Sequence, residues 1–315
     1  MICDTAVAMT FDRKTLVIPE GTKFAERMIT VDGDVVVADR SMLQLGVKTN
    51  GRIFIGEHVI IDGNLNSMDD VRIDIFSNVG GDISSDGNVY IGEKVKIKGK
   101  LSLKGDLDVG DSVDIEKGFE AKGWINIRSP IPTVIYIFIY LLQLLKMGHS
   151  EEIERLLEEL EENNGEPIPI SEKFLFIPNS SIIGIQKSQV DYNLRIEKKC
   201  KILGNYDVKG DVYIDDDSHV FGSIKTTGDL FCGKKTKIQG NINSSGSVNL
   251  SEDAVVVGDI TADNIFLSKK ATVGGKLLAK NGISFIDETK EKVNEKIRRF
   301  ETDADVVDEV KIMLE

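Results

Sequence analysis

From Val89 to Ile127 the chain places apolar residues on two interleaved six-residue intervals. One series is Val89, Val95, Leu101, Leu107, Val113, Phe119 and Ile125; the other is Ile91, Ile97, Leu103, Val109, Ile115, Ala121 and Ile127. The frame runs backwards through Ile83, Val71, Leu65, Val59, Ile53, Val47 and Val35, and through Val79, Ile73, Ile61, Ile55, Leu43 and Val37, to a start near Ile29 and Val31. Two inward side chains flanking one outward side chain are what a short strand supplies, because successive side chains point to opposite faces. An i, i+2, i+6, i+8 pattern smears around a 3.6-residue helix, so this stretch is not helical.

Glycines add a second period. Gly33, Gly51, Gly87, Gly105 and Gly123 fall on a grid of about 18 residues, and Gly63, Gly81 and Gly99 fall on another. Three strand-plus-corner units of six make one coil of about 18, the repeat of a triangular parallel β-helix. Glycine then serves corners that need a positive φ or a tight backbone approach, and no ligand is required to explain it. Parallel crossovers make the coil right-handed by default.

The second half repeats the device, with pairs at Leu194/Ile196, Cys200/Ile202, Tyr206/Val208, Val212/Ile214, Leu230/Cys232 and Val248/Leu250, ending at Ile283/Phe285. Residues 16–37 align with residues 175–196 at an offset of 159, which points to an internal duplication. The expected fold is mainly β. It comprises two tandem triangular parallel β-helices over 15–128 and 174–286, an inserted α-helical hairpin over 129–166, and a C-terminal helical tail over 287–315.

In the hairpin, Gly148 closes one helix and Ser150 opens the next. Ile153, Leu156, Leu157 and Leu160 give the second helix one apolar face on an acidic body. The first carries Val134, Ile135, Phe138, Leu141, Leu142 and Leu145 with almost no polar face. As a helix, Ile131–Leu145 would span about 22 Å, short of the roughly 30 Å needed to cross a bilayer. Three readings stand for it: burial against the β-helix, contact with another protein or subunit, or shallow membrane insertion.

Composition narrows the function. A net charge of -13 repels nucleic-acid phosphates and anionic lipid. Cys3, Cys200 and Cys232 match no metal spacing, and together with the lack of a signal-like start they point to the cytoplasm. His58, His149 and His219 lie on separate segments and do not form a ligand set. The corner series Asp39, Glu57, Glu93 and Asp111 reads as a solvated edge, and its counterpart Lys198, Asp216, Lys234, Glu252 and Lys269 as a charge ladder. No catalytic triad, phosphate loop or dinucleotide fingerprint is present. No catalytic residue, cofactor or metal is therefore expected. A hexapeptide-type acyltransferase on a left-handed coil is the enzymatic alternative, and a membrane-associated adaptor using the apolar hairpin is the third reading.

The stretches GDLDVGDSVDI, GDVYIDDDSHVFGSI and GDLFCGKKTKIQGNI resemble bactofilins, the polymer-forming cytoskeletal family. The resemblance implies a right-handed β-helix that self-associates end to end without nucleotide and scaffolds other proteins, often at membranes. It places assembly contacts on terminal-coil apolar positions: Ile29, Val31, Val35 and Val37 at one end of the first copy, and Phe119, Ile125 and Ile127 at the other. The second copy would offer Leu194, Ile196, Ile283 and Phe285. The expected partner is the protein itself, as a homo-oligomer or filament. The two copies and the helical segments depart from the family's single β-helix, and the helices would cap open ends and limit growth.

Overall fold

The computed structural model describes residues 13–25, 27–128 and 171–286. The helices expected over 129–166 and 287–315 lie outside these residues, and among the described residues there is no helix. Thirty-six strands form two sheets of 24 and 12 strands. They wrap into three faces, with most strands pairing to those 18 residues away: Val71 lies between Ile53 and Val89, Ile83 between Leu65 and Leu101. Face 3 is the 12-stranded sheet, so the described residues form about twelve coils.

The two halves meet at their N-terminal ends. On face 1, strand Phe174–Ile177 lies parallel to Asp34–Val37, and strand Thr15–Ile18 lies parallel to Asn193–Ile196. Each half's lead-in strand therefore stacks on the first coil of the other half. Between them Val17 faces Phe176 in an antiparallel pair. One antiparallel pair also marks the centre of each other face: Ile182 with Gln189 on face 2, and Phe24 with Ile29 on face 3. Outward from the centre every pairing is parallel. The offset of 159 maps the junction onto itself, so Leu16↔Leu194 becomes Leu175↔Val35 and Lys23↔Lys201 becomes Ile182↔Met42. The chain is a rod with an internal pseudo-two-fold axis, not two β-helices laid head to tail.

One apolar core runs through both halves and includes Ile29, Val59, Leu101, Leu175, Leu194, Val220 and Ile265, each sealed from solvent. Where the six-residue series skips a position, the inward residue is Ser41, Thr49, Ser67, Ser77 or Ser85. Burial of a hydroxyl is tolerated because each donates to a corner carbonyl: Ser67 Oγ to Gly51 O at 2.6 Å and Ser85 Oγ to Asp69 O at 2.7 Å. The pseudo-symmetry of the core is broken at several positions, one of them a compensated exchange. Ile29 and Val47 of the first half are matched by Ser188 and Tyr206, a small residue beside a large one. A hydrogen bond joins their side chains, and burial pushes the Tyr206 phenol well above its ordinary pKa.

The grid glycines answer to close approach between coils. A Cβ on Gly81 would lie 2.5 Å from the Gly63 carbonyl, and one on Gly105 would lie 2.7 Å from Gly87 O. The left-handed conformation is used elsewhere, at the corner after the second face-1 residue, by residues that are not glycine. Arg40, His58, Phe76, Lys94 and Ser112 in the first half, and Lys199, Asp217, Lys235 and Asp253 in the second, have φ between 54° and 58°. Repetition of one strained corner in successive coils is sustained by the ladder around it, which over-determines the backbone.

Candidate assembly surfaces

Because the N-terminal ends meet inside the molecule, both outer coils are C-terminal coils. In the first half the outer coil is Asp114–Ile115, Phe119–Ala121 and Ile125–Ile127; in the second it is Thr272–Val273 and Leu277–Ile286. Each strand pairs on one side only among the described residues: Ile125–Ile127 with Leu107–Val109, and Leu277–Ile286 with Ile260–Ser268. Among the described residues the outward edges have no partner strand, the feature that makes a sheet edge a template for another strand.

Apolar side chains that would be core in a further coil are open here. Phe119, Ile125 and Ile127 are exposed at one end, Ile283 and Phe285 at the other. Trp124 is 86% exposed and Leu278 57%, and the six-residue series misses both because they sit one position off the inward pair. Ile29, Val31, Val35, Val37, Leu194 and Ile196, expected at open ends, are instead buried at the central junction. Val35, Val37, Leu194 and Ile196 lie on strands covered by the other half's lead-in strand, and Ile29 and Val31 on one covered by Lys23–Ala25 of their own half. Val134, Ile135, Phe138, Leu141, Leu142, Leu145, Ile153, Leu156, Leu157 and Leu160 lie outside the described residues.

The remaining polar groups hold coils together. Asp39 Oδ1 accepts from Glu57 N at 2.8 Å and Asp216 Oδ1 from Lys234 N at 2.7 Å, so the acidic corner is a backbone latch as well as a wet edge. The second-half charge ladder is made in part, with Lys234 Nζ 2.8 Å and Lys270 Nζ 3.6 Å from Glu252. A second ladder runs Asn205–Ser223–Asn241–Asp259, each side chain accepting from the amide 18 residues on or, at the last step, 17. Asp34 is the strongest such latch: it accepts from Arg52 N and Nη2 and from Ser171 N, at 2.8, 2.6 and 2.9 Å. It ties the point where the chain returns from residue 170 to the first coil. Burial opposes its charge, but the Arg52 side chain and the two backbone donors outweigh it, and its carboxyl titrates below the usual range.

His58 stacks on Phe76 at 4.9 Å in the first half, while His219 meets Phe221 edge-on in the second. Among the described residues no three His, Cys, Asp or Glu side chains are grouped to hold a metal, and no helix is long and apolar enough to cross a membrane. Cys200 and Cys232 are buried free thiols, each pushed up to about 12 chiefly by burial. Thiols held protonated in this way are poor nucleophiles.

Residues 179–281 match the family model Bactofilin, described as polymer-forming cytoskeletal. The second half carries a bactofilin domain. That span opens in the lead-in strand region and closes in the terminal coil, so it takes in both the junction and one open end. The first half repeats the same coils under the offset of 159, while the family match itself covers the second half alone. No curated protein and no solved structure matches the chain.

Proposed function

We propose that the protein is a non-enzymatic structural element of bactofilin type that self-associates end to end through its two terminal coils. The observation that carries this reading is the pair of terminal coils, each with an edge that has no partner among the described residues and with exposed core-type side chains such as Ile125, Ile127, Ile283 and Phe285. Adding a coil to such an end buries apolar surface and pairs backbone groups at once, and it needs no nucleotide. The rod offers two such ends, so the product is a linear filament or short scaffold. Its place is the cytoplasm, where buried unpaired thiols such as Cys200 and Cys232 are at home.

Mass photometry over a concentration series, followed by electron microscopy, tests the reading. Linear multiples of the 34.8 kDa chain are expected to grow with concentration. A particle that stays monomeric at every concentration and salt overturns self-association.

A further inference from the structure

The two open ends are built from the same repeat but carry different charge. The first-half coil, residues 110–128, bears Asp111, Asp114, Glu116 and Glu120 beside Lys117, Lys122 and Arg128. The second-half coil, residues 268–286, bears Lys269, Lys270, Lys276 and Lys280 and no carboxylate. Except for the half-covered Asp111, all of these side chains are exposed. Lys270 and Lys280 reach back to Glu252 and Asp263 of earlier coils, yet the outermost layer at this end remains uniformly basic.

Strand direction permits two ways of joining ends. On face 1 all strands from Ile125–Ile127 to Phe174–Ile177 run one way, and all from Thr15–Ile18 to Leu277–Ile286 run the other. The same reversal occurs on faces 2 and 3. A first-half end set on a second-half end of the next molecule therefore meets it antiparallel on all three faces, as the halves meet at the centre. Two like ends related by a two-fold axis also meet antiparallel, so charge decides. A chain of like-end contacts must at every second joint bring two all-lysine layers together, and like charges directly opposed across paired strands are unfavourable. The unlike joint sets that lysine layer against the coil that holds the carboxylates.

Resting on the end-to-end reading above, we propose that the joint is heterotypic: the first-half end of one molecule docks on the second-half end of a second copy. Each molecule then adds in the same orientation, and the filament is polar although each subunit is internally pseudo-symmetric.

The test uses full-length chains blocked at one end: Ile125→Asp/Ile127→Asp, and Ile283→Asp/Phe285→Asp. These positions are exposed, and matching unfolding midpoints check that the variants fold. A heterotypic joint leaves each variant alone monomeric, because its one free end lacks a partner. An equimolar mixture forms a one-to-one dimer, with apparent association at least about tenfold tighter than either variant alone and weakened by added salt. A second pair that spares the apolar residues, Lys276→Glu/Lys280→Glu against wild type, should weaken wild-type-like growth in the same assay. If each blocked variant dimerises alone and mixing adds nothing, the joint is between like ends and this proposal fails while end-to-end assembly stands. If wild type itself stays monomeric, end-to-end assembly fails and this proposal with it.

Discussion

Asp34 lies where the two halves are sewn together, and replacing it by alanine tests the junction directly. Its side chain is 3% exposed and that of Arg52 21%. The substitution removes the acceptor for Arg52 N, Arg52 Nη2 and Ser171 N together. Removing one partner of a fully buried pair costs about 3–5 kcal/mol. Arg52 keeps partial access to water and stays over the Phe54 ring at 5.2 Å, so the expected loss is about 2–4 kcal/mol. Urea unfolding at pH 7 should show it, with Asp86→Ala, which breaks an exposed pair with Lys104, within about 0.5 kcal/mol of wild type. The pH dependence has a fixed sign. The folded-state pKa of Asp34 is depressed, so its contribution is complete above the unfolded value of about 3.9 and is lost as pH falls through the folded value. The gap between wild type and Asp34→Asn should hold steady down to about pH 5 and close below about pH 3.9. Equal stability of wild type and Asp34→Ala at pH 7, or a gap that widens in acid, would refute the latch.

Three further outcomes follow from the coil geometry. Gly81→Ala pushes a methyl against the Gly63 carbonyl at 2.5 Å and should destabilise by about 1–3 kcal/mol in thermal unfolding. Lys235→Gly relieves a left-handed non-glycine corner at φ 55° and should stabilise by about 0.5 kcal/mol, the strain of about 1–2 offset by glycine's entropy; the neighbouring strand position Lys237→Gly should destabilise instead. Cys200 and Cys232 should resist a thiol reagent at pH 8 in a Cys3→Ser background and react fully in denaturant, and fast native labelling would contradict their burial.

The coil itself was legible because the inward pair recurs at a fixed interval regardless of which aliphatic residue fills it. The glycine grid was legible as spacing, while its cause was split between two reasons. Backbone approach explains Gly81 and Gly105, and the left-handed corner is held by Arg40, His58, Phe76 and Lys94, which share no side-chain type that a pattern could detect. The head-to-head junction left no mark in the pattern. Val35 and Leu194 look like any inward residue whether a coil is covered by its neighbour, by a lead-in strand or by nothing. For the same reason the contacts that the family resemblance implies fall at both ends of each copy, and the pairing of Thr15–Ile18 with Asn193–Ile196 shows which ends are closed. Trp124 and Leu278 escaped notice because outward positions are free to be apolar in a coil interior without meaning anything, and become informative only once their coil is known to be last.

The halves meet at their N-terminal ends, and one distance decides it. Glu120 and Thr272 sit outward on the two outermost strands of the 12-stranded face. Spin labels at these positions, measured by pulsed dipolar spectroscopy in single molecules diluted with unlabelled protein, should lie about 53 Å apart at about 4.8 Å per strand. A separation under about 20 Å would place the C-terminal coils together and contradict a head-to-head junction.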